Sequence, residues 1–336
     1  MSGINEIVDA EMEGLIADLK TLIRQPSISA KKQGLVECAN LVAKIMRKAG
    51  INSEVLYLDD KSIPPIVYGE LKSKSNPNKT ILFYNHYDVQ PEEPLELWEN
   101  EPFSGKVEGN YVFGRGSADD KGELITRIKA VEYCLKKTGD VSCNVKFMVE
   151  GEEEVGSVHV EQYLNRYSNR LSCDGVIWEF GYVDAKDRPI ISLGMKGLLY
   201  VELIAKGPVR DAHSSLAVLI ENPAWRLIYA LNTMRDQTGK IVIKDWYKEV
   251  RPFTEQELSV IASEPFDVEE FKKEYGVSKF VADTKGTDIK KALVGMPTCN
   301  IAGFNAGYTG EGAKTVLPSK AYAKISARLV PNQSSE

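Results

Sequence analysis

Four short segments concentrate the residues able to hold a metal or move a proton. "YNHYDVQP" (residues 84–91) follows the apolar run "TILF" and sets His86 two residues from Asp88. "GRGSADDKG" carries Asp119 and Asp120, "VEGEEEVGS" carries Glu152, Glu153 and Glu154, and "VIWEFG" carries Glu179. Each falls just beyond an apolar run of strand type. In open α/β sheets, ligands bind outside the carboxyl ends of the strands. Carboxylates gathered there repel one another and need a positive partner. A divalent metal supplies it economically, and histidine nitrogen among carboxylate oxygens suits Zn²⁺, with Co²⁺ or Mn²⁺ possible. Asp88 projects to the same side of an extended segment as His86. It can therefore accept the second imidazole N–H and orient the ring, the usual support behind a metal-binding histidine.

Each segment also has a plainer reading. A lone histidine is most often a surface or satisfied core residue. "GRGSADDKG" has the glycines of a phosphate loop, but it lacks the GK[ST] ending and its acids repel phosphate. "EGEEE" reads as a solvated charge run, except that it directly follows the apolar "VKFMV". Glu179 lies between Trp178 and Phe180, where a carboxylate is costly to bury unpaired. His159, in the helix after "EEEVGS", reads as a surface residue.

The elements that must position these residues alternate. Apolar residues recur at helical spacing from about Glu6 to Arg24, and a second helix is predicted from about Gly34 to Gly50. "INSEVLYL", "IVYGEL", "KTILFYNHYDV", "CNVKFMVEG" and "DGVIWEF" read as strands, with helices at "GELITRIKAVEYCLKK" and "VHVEQYLNRYSNRL". This order predicts an α/β domain with a mostly parallel mixed sheet. Near Ile190 the pattern changes. "KGLLYVELIAKG" and "AYAKISARLV" alternate with period two, Asn222–Pro223 can start a helix, and about 244–292 is polar and helix-prone. These features predict a smaller α+β domain with one solvated sheet face. No internal repeat or low-complexity tract is evident.

Composition sets the class. The 336 residues are 43% hydrophobic and 27% charged, with a net charge of −6. That is an ordinary globular balance with room for about two domains. The scattered cations give no footprint for nucleic acid or an anionic membrane. No apolar run approaches the ~20 residues of a membrane span, and the acidic, amphipathic start lacks signal-peptide character. A cytoplasmic location is expected. The five cysteines are widely spaced without a CxxC and read as reduced thiols.

Together, "HYDVQP", "GRGSADDKG", "EGEEEVGS", "LGMKG", "RDAHSS", "GYTGEGAKTVLPSKA" and "ARLVPNQ" resemble the M20 family of metallopeptidases. The resemblance is strongest to its branch of carnosinases, Cys-Gly dipeptidases and enzymes described as glutamate carboxypeptidases. It implies a zinc-peptidase-like catalytic domain over residues 1–191 and an inserted α+β lid that mediates homodimerisation over 192–336. It also implies two zinc ions per subunit, hydrolysing dipeptides or peptide C-termini. His86 and Glu179 would ligate one metal and Glu154 the other. Asp119 would bridge both, with a cis peptide bond after it. Glu153 would be the general base, and Glu152 stands where the family varies. His213 would reach the partner subunit's site and stabilise the oxyanion. Arg328 would hold the substrate carboxylate, for which a guanidinium fork is well shaped, and Gly307, Thr309 and Gly310 would add contacts to substrate.

The family's second metal histidine lies near its C-terminus, whereas this chain has only His86, His159 and His213. The resemblance thus implies an incomplete lid and an absent final part of the catalytic domain, on the order of one hundred residues. The set His86, Asp119, Glu179 is complete; the set Asp119, Glu154 lacks its histidine. Two other readings stand beside a dipeptidase. One is an N-acyl amino acid deacylase of the acetylornithine or succinyl-diaminopimelate type, which usually has threonine after the motif histidine. The other is an inactive, dimerising subunit.

Overall fold

The computed structural model describes residues 2–179, 181–183, 188–192 and 194–335. Phe180 and Leu193, which belong to the motifs "VIWEFG" and "LGMKG", lie outside the described residues. The chain separates into two compact units, Met1–Ser192 and Leu193–Glu336.

The first unit opens with helices α1 (Ser2–Ile23) and α2 (Leu35–Lys48), then strands β1 (Asn52–Leu56), β2 (Ile66–Leu71) and β3 (Thr80–His86). A small hairpin, β4 (Lys106–Glu108) and β5 (Tyr111–Phe113), precedes helix α3 (Lys121–Thr138). Strand β6 (Asn144–Glu150), helix α4 (Val160–Leu171) and strand β7 (Gly175–Ile177) follow, then a two-stranded pair, β8 (Tyr182–Val183) and β9 (Pro189–Ile190). The main sheet has the order β1-β2-β6-β3-β7. It is mixed: β3 pairs in parallel with β6 and β7, while β1–β2 and β2–β6 are antiparallel. The parallel half is the half whose strands are joined through helices, as parallel crossovers require.

Strand alternation divides the core between the two sheet faces. Val145, Phe147 and Val149 of β6 pack with Leu22, Val42, Met46, Leu124 and Ile128 from the first three helices. Met148 points the other way and joins Tyr68, Leu82, Tyr163 and Leu171, the last two from α4. A period of two along a strand covered on both faces gives this partition.

The second unit contains strands β10 (Gly197–Lys206) and β11 (Ala212–His213), helices α5 (Pro223–Asn232), α6 (Glu255–Ser263), α7 (Val268–Tyr275) and α8 (Thr287–Gly295), and strands β12 (Asn300–Ala306), β13 (Val316–Leu317) and β14 (Lys320–Leu329). Its antiparallel sheet has the order β10-β14-β12. On β14, Ala321, Ala323, Ile325, Ala327 and Leu329 are buried, whereas Lys324 and Arg328 are exposed. Asn222 Oδ1 accepts from Ala224 N at 2.9 Å, and Pro223 occupies the first turn of α5. Both features start a helix: the cap satisfies an orphan donor, and proline needs none.

Candidate metal centre

Strand β3 ends at His86, and the chain continues through the buried Tyr87 and Asp88. His86 is enclosed, with acids around both ring nitrogens. Its Nδ1 lies 3.1 Å from the Asp88 backbone oxygen and 3.3 Å from Asp88 Oδ1. Its Nε2 lies 3.0 Å from Asp119 Oδ1, 3.7 Å from Glu179 Oε2 and 3.9 Å from Glu153 Oε2. The orienting role expected of the Asp88 side chain is thus shared with its own carbonyl. The carboxylate has further work: its two oxygens accept from the backbone N–H groups of Glu153 and Glu154 at 3.2 and 3.1 Å. Asp88 therefore ties the end of β3 to the loop that follows β6.

Asp119 and Asp120 lie on the turn into α3, joined by a cis peptide bond. Lys121, next in sequence and fully buried, donates to the carbonyls of Leu22 at 3.0 Å and Gln25 at 2.7 Å. These bonds to carbonyls at and just beyond the end of α1 pin the Asp–Asp turn against that helix. Gly116 in this turn has φ +84°, and a Cβ there would meet Val89 Cγ1 at 2.8 Å. Gly151 after β6 permits an equally close approach, because its Cβ would meet Tyr87 Oη at 2.3 Å.

Asp120 stands in the sequence reading beside Asp119 without a role of its own. It is buried, and its Oδ2 accepts from Asn85 Nδ2 at 2.8 Å and His86 N at 2.9 Å. Among the described residues its Oδ1 has no hydrogen-bond partner, and neither has the buried Oε2 of Glu179. His86, Asp120 and Glu179 each offer a donor atom within 4.8 Å of the others. Asp119 stands at the mouth with its side chain 77% exposed. Two adjacent aspartates gave the sequence no means of separating the enclosed from the exposed one. Glu154 is held by Gln90, whose Nε2 donates to Oε2 at 2.8 Å.

The charges respond as a cation-seeking site should. Burial opposes the charge on His86, but hydrogen bonds to Asp119 and Asp88 and the nearby Asp120 outweigh it and push the imidazole up to about 12. Burial pushes Asp120 up to about 7, against the pull of His86 and Asn85. Glu179 rises to about 8, again chiefly through burial, with His86 opposing and Glu153 reinforcing the rise. Burial also raises Glu153 and Glu154. The raised carboxyl groups share one cause, the desolvation of negative charge in a crowded site, while the hydrogen bond to His86 holds Asp119 lower. Two carboxylate oxygens with no hydrogen-bond partner among the described residues, converging with an imidazole, fit a divalent metal of the zinc type.

The other expected residues lie in the second unit. His213 is exposed at the end of β11; its Nδ1 meets Ser215 Oγ at 2.8 Å and its Nε2 meets Thr315 Oγ1 at 3.3 Å. Arg328 is exposed on β14, opposite Leu198 of β10. Gly307, Thr309 and Gly310 form an exposed loop after β12, with Gly307 at φ +74°. His159 departs from the surface reading: it is partly buried, and Nδ1 lies 2.8 Å from Glu152 Oε2.

Residues 82–315 match the family model described as peptidase family M20/M25/M40. The chain is 30% identical to a Cys-Gly metallodipeptidase of Schizosaccharomyces pombe, over 98% of this chain and 72% of that protein. It is 32% identical to the human Beta-Ala-His dipeptidase over 80% of this chain and 54% of that protein. Among solved structures, an M20 family metallo-carboxypeptidase from Sulfolobus solfataricus superposes with a TM-score of 0.87 at 41% identity, covering 97% of this chain and 72% of that one. Fold, strand-end acids and sequence agree, and the chain belongs to peptidase family M20/M25/M40.

Proposed function

We propose that the protein hydrolyses the peptide bond of dipeptides, or the last bond of short peptides, with zinc held at the strand-end centre. The carrying observation is the convergence of His86, Asp120 and Glu179 donor atoms within 4.8 Å, with Asp119 and Glu153 beside the same imidazole. His86 and Glu179 would hold one ion, with Asp119 or its enclosed neighbour Asp120 supplying the shared carboxylate. Glu154 would serve a second ion. A divalent metal here lowers the pKa of water and polarises a carbonyl.

Glu153 is the general base of this reading. Its carboxylate is raised by burial, which makes it a better proton acceptor near neutral pH. It takes a proton from the attacking water and returns it to the leaving amine. Asp88 holds the Glu153 and Glu154 amides and so fixes the base relative to His86. His213 would stabilise the developing oxyanion in a homodimer formed through the second unit. Arg328 would bind the substrate carboxylate, and the Gly307–Gly310 loop would add contacts to substrate. The relatives named Cys-Gly metallodipeptidase and Beta-Ala-His dipeptidase support a dipeptide substrate. Among the described residues no helix is long and apolar enough to cross a membrane, and we place the protein in the cytoplasm.

The test is hydrolysis by purified, zinc-reconstituted protein of Cys-Gly against N-acetylornithine, with and without chelator. The expected result is chelator-sensitive cleavage of Cys-Gly in preference to N-acetylornithine. Preferential deacylation would overturn the dipeptidase reading in favour of an N-acyl amino acid deacylase. Cleavage indifferent to chelator would overturn the metal-dependent one.

A further inference from the structure

We infer that Glu152 and His159 form a positioning pair that locks the catalytic loop from the side opposite Asp88. This rests on the reading of Glu153 as base and Glu154 as ligand. The loop runs from Gly151 to His159, between the end of β6 and the start of α4. Its backbone folds around one carbonyl: Glu152 O accepts from Val155 N at 3.2 Å and Ser157 N at 2.8 Å. Gly156 N closes the inner turn on Glu153 O at 2.8 Å. Asp88 holds the Glu153 and Glu154 amides from the β3 side. Across the loop's two ends, Glu152 Oε2 meets His159 Nδ1 at 2.8 Å.

The two contacts face different surroundings. Asp88 lies fully buried beside His86, whereas Glu152 and His159 line a cavity of about 470 Å³ together with Ser29, Lys32 and Asp60. The pair thus joins the two ends of the loop along that cavity, which Val155 and Val158 of the loop also line. Its side chains are 13% and 26% exposed, so the hydrogen bond is only partly screened by water. Glu152 and His159 lie seven residues apart, and no local repeat pattern brings them together; the 3-10 turn over Glu153–Val155 does so. Opening the pair would leave the Asp88 contacts alone to hold the loop, so that the Glu153 and Glu154 amides open more often. A small displacement of a general base lowers turnover more than it lowers substrate binding.

The test uses His159→Ala, Glu152→Ala and His159→Asn, whose amide can still donate to Glu152. In metal-free protein, hydrogen exchange of the Glu153 and Glu154 amides should quicken about tenfold in both alanine variants, the scale of one partly exposed hydrogen bond to a carboxylate. His159→Asn should restore the slow exchange. With zinc and Cys-Gly, kcat should fall about tenfold in the alanine variants with KM nearly unchanged. Imidazole added to His159→Ala should recover part of it, because the vacated ring position opens on the cavity. Unchanged exchange in both alanine variants would overturn the inference, as would a rise in KM at constant kcat. If the wild-type protein fails to cleave Cys-Gly, the functional reading falls, and the exchange measurement in metal-free protein still decides the lock.

Discussion

Replacing Asp88 by asparagine tests whether one buried carboxylate organises the centre. The wild-type oxygens accept two backbone N–H groups at 3.2 and 3.1 Å and approach His86 Nδ1 at 3.3 Å. Hydrogen bonds to a charged group contribute about 1.5–3 kcal/mol each, so the amide pair accounts for roughly 3–6 kcal/mol. Asparagine keeps one neutral acceptor, worth about 1 kcal/mol, and turns an N–H₂ towards the second backbone donor. It also spares the protein the burial of a charge, which recovers part of the loss. The net expected destabilisation of the metal-free protein is about 2–3 kcal/mol, read by urea unfolding at pH 7. Zinc affinity should fall ~10–100-fold, the usual cost of losing a group that orients a metal ligand. A variant within ~0.5 kcal/mol of wild type, the range of an ordinary surface substitution, and with unaltered zinc affinity, would refute the role given to Asp88.

Glu153→Gln should lose at least ~10²-fold in kcat while retaining metal, because the amide cannot take a proton; loss of metal instead would exchange the roles of Glu153 and Glu154. Tyr84 Oη donates to the buried Glu150 carboxylate, which also accepts from Ser157 Oγ at 2.8 Å. Tyr84→Phe should therefore cost about 1–2 kcal/mol in urea unfolding. Asp18 bridges Lys129 at 2.7 Å and Lys48 at 2.9 Å. Burial raises its pKa, but the two lysines outweigh burial and hold it below 3.8. Its contribution is therefore complete above 3.8 and lost as pH falls through the lower folded value. Asp18→Asn should cost about 1–3 kcal/mol at pH 7, with the gap to wild type closing as unfolding is followed towards pH 2.

The helices and strands around the site were legible because their apolar periods are clean. Leu22 to Ile23, Leu124 to Ile128 and the alternating Val145 to Val149 all fall on buried faces. Asn222 and Pro223 marked the start of α5 as local chemistry predicts. The antiparallel half of the main sheet was harder to read, since strand pairing depends on which neighbour a strand finds and not on its own pattern. The site divides in the same way. His86, Glu153 and Glu179 were visible as residue types at strand ends, and the structure gathers them about one imidazole. The inward turn of Asp120, the reach of Lys121 and the Glu152–His159 pairing were not visible. Their roles depend on which of two adjacent acids turns inward, on a lysine reaching the end of a distant helix, and on a turn that joins residues 152 and 159.

The strand-end cluster built on His86 is expected to hold a divalent metal. Metal-free protein can be prepared by dialysis against chelator and reloaded with zinc. Excess ion is then removed, and bound metal is read by elemental analysis for wild type and His86→Ala, with circular dichroism to confirm that both are folded. The prediction is at least one tightly held zinc ion per wild-type chain, most of it lost in the variant. Equal zinc in the two folded proteins, or none in the wild type, would overturn the assignment of His86 as a metal ligand.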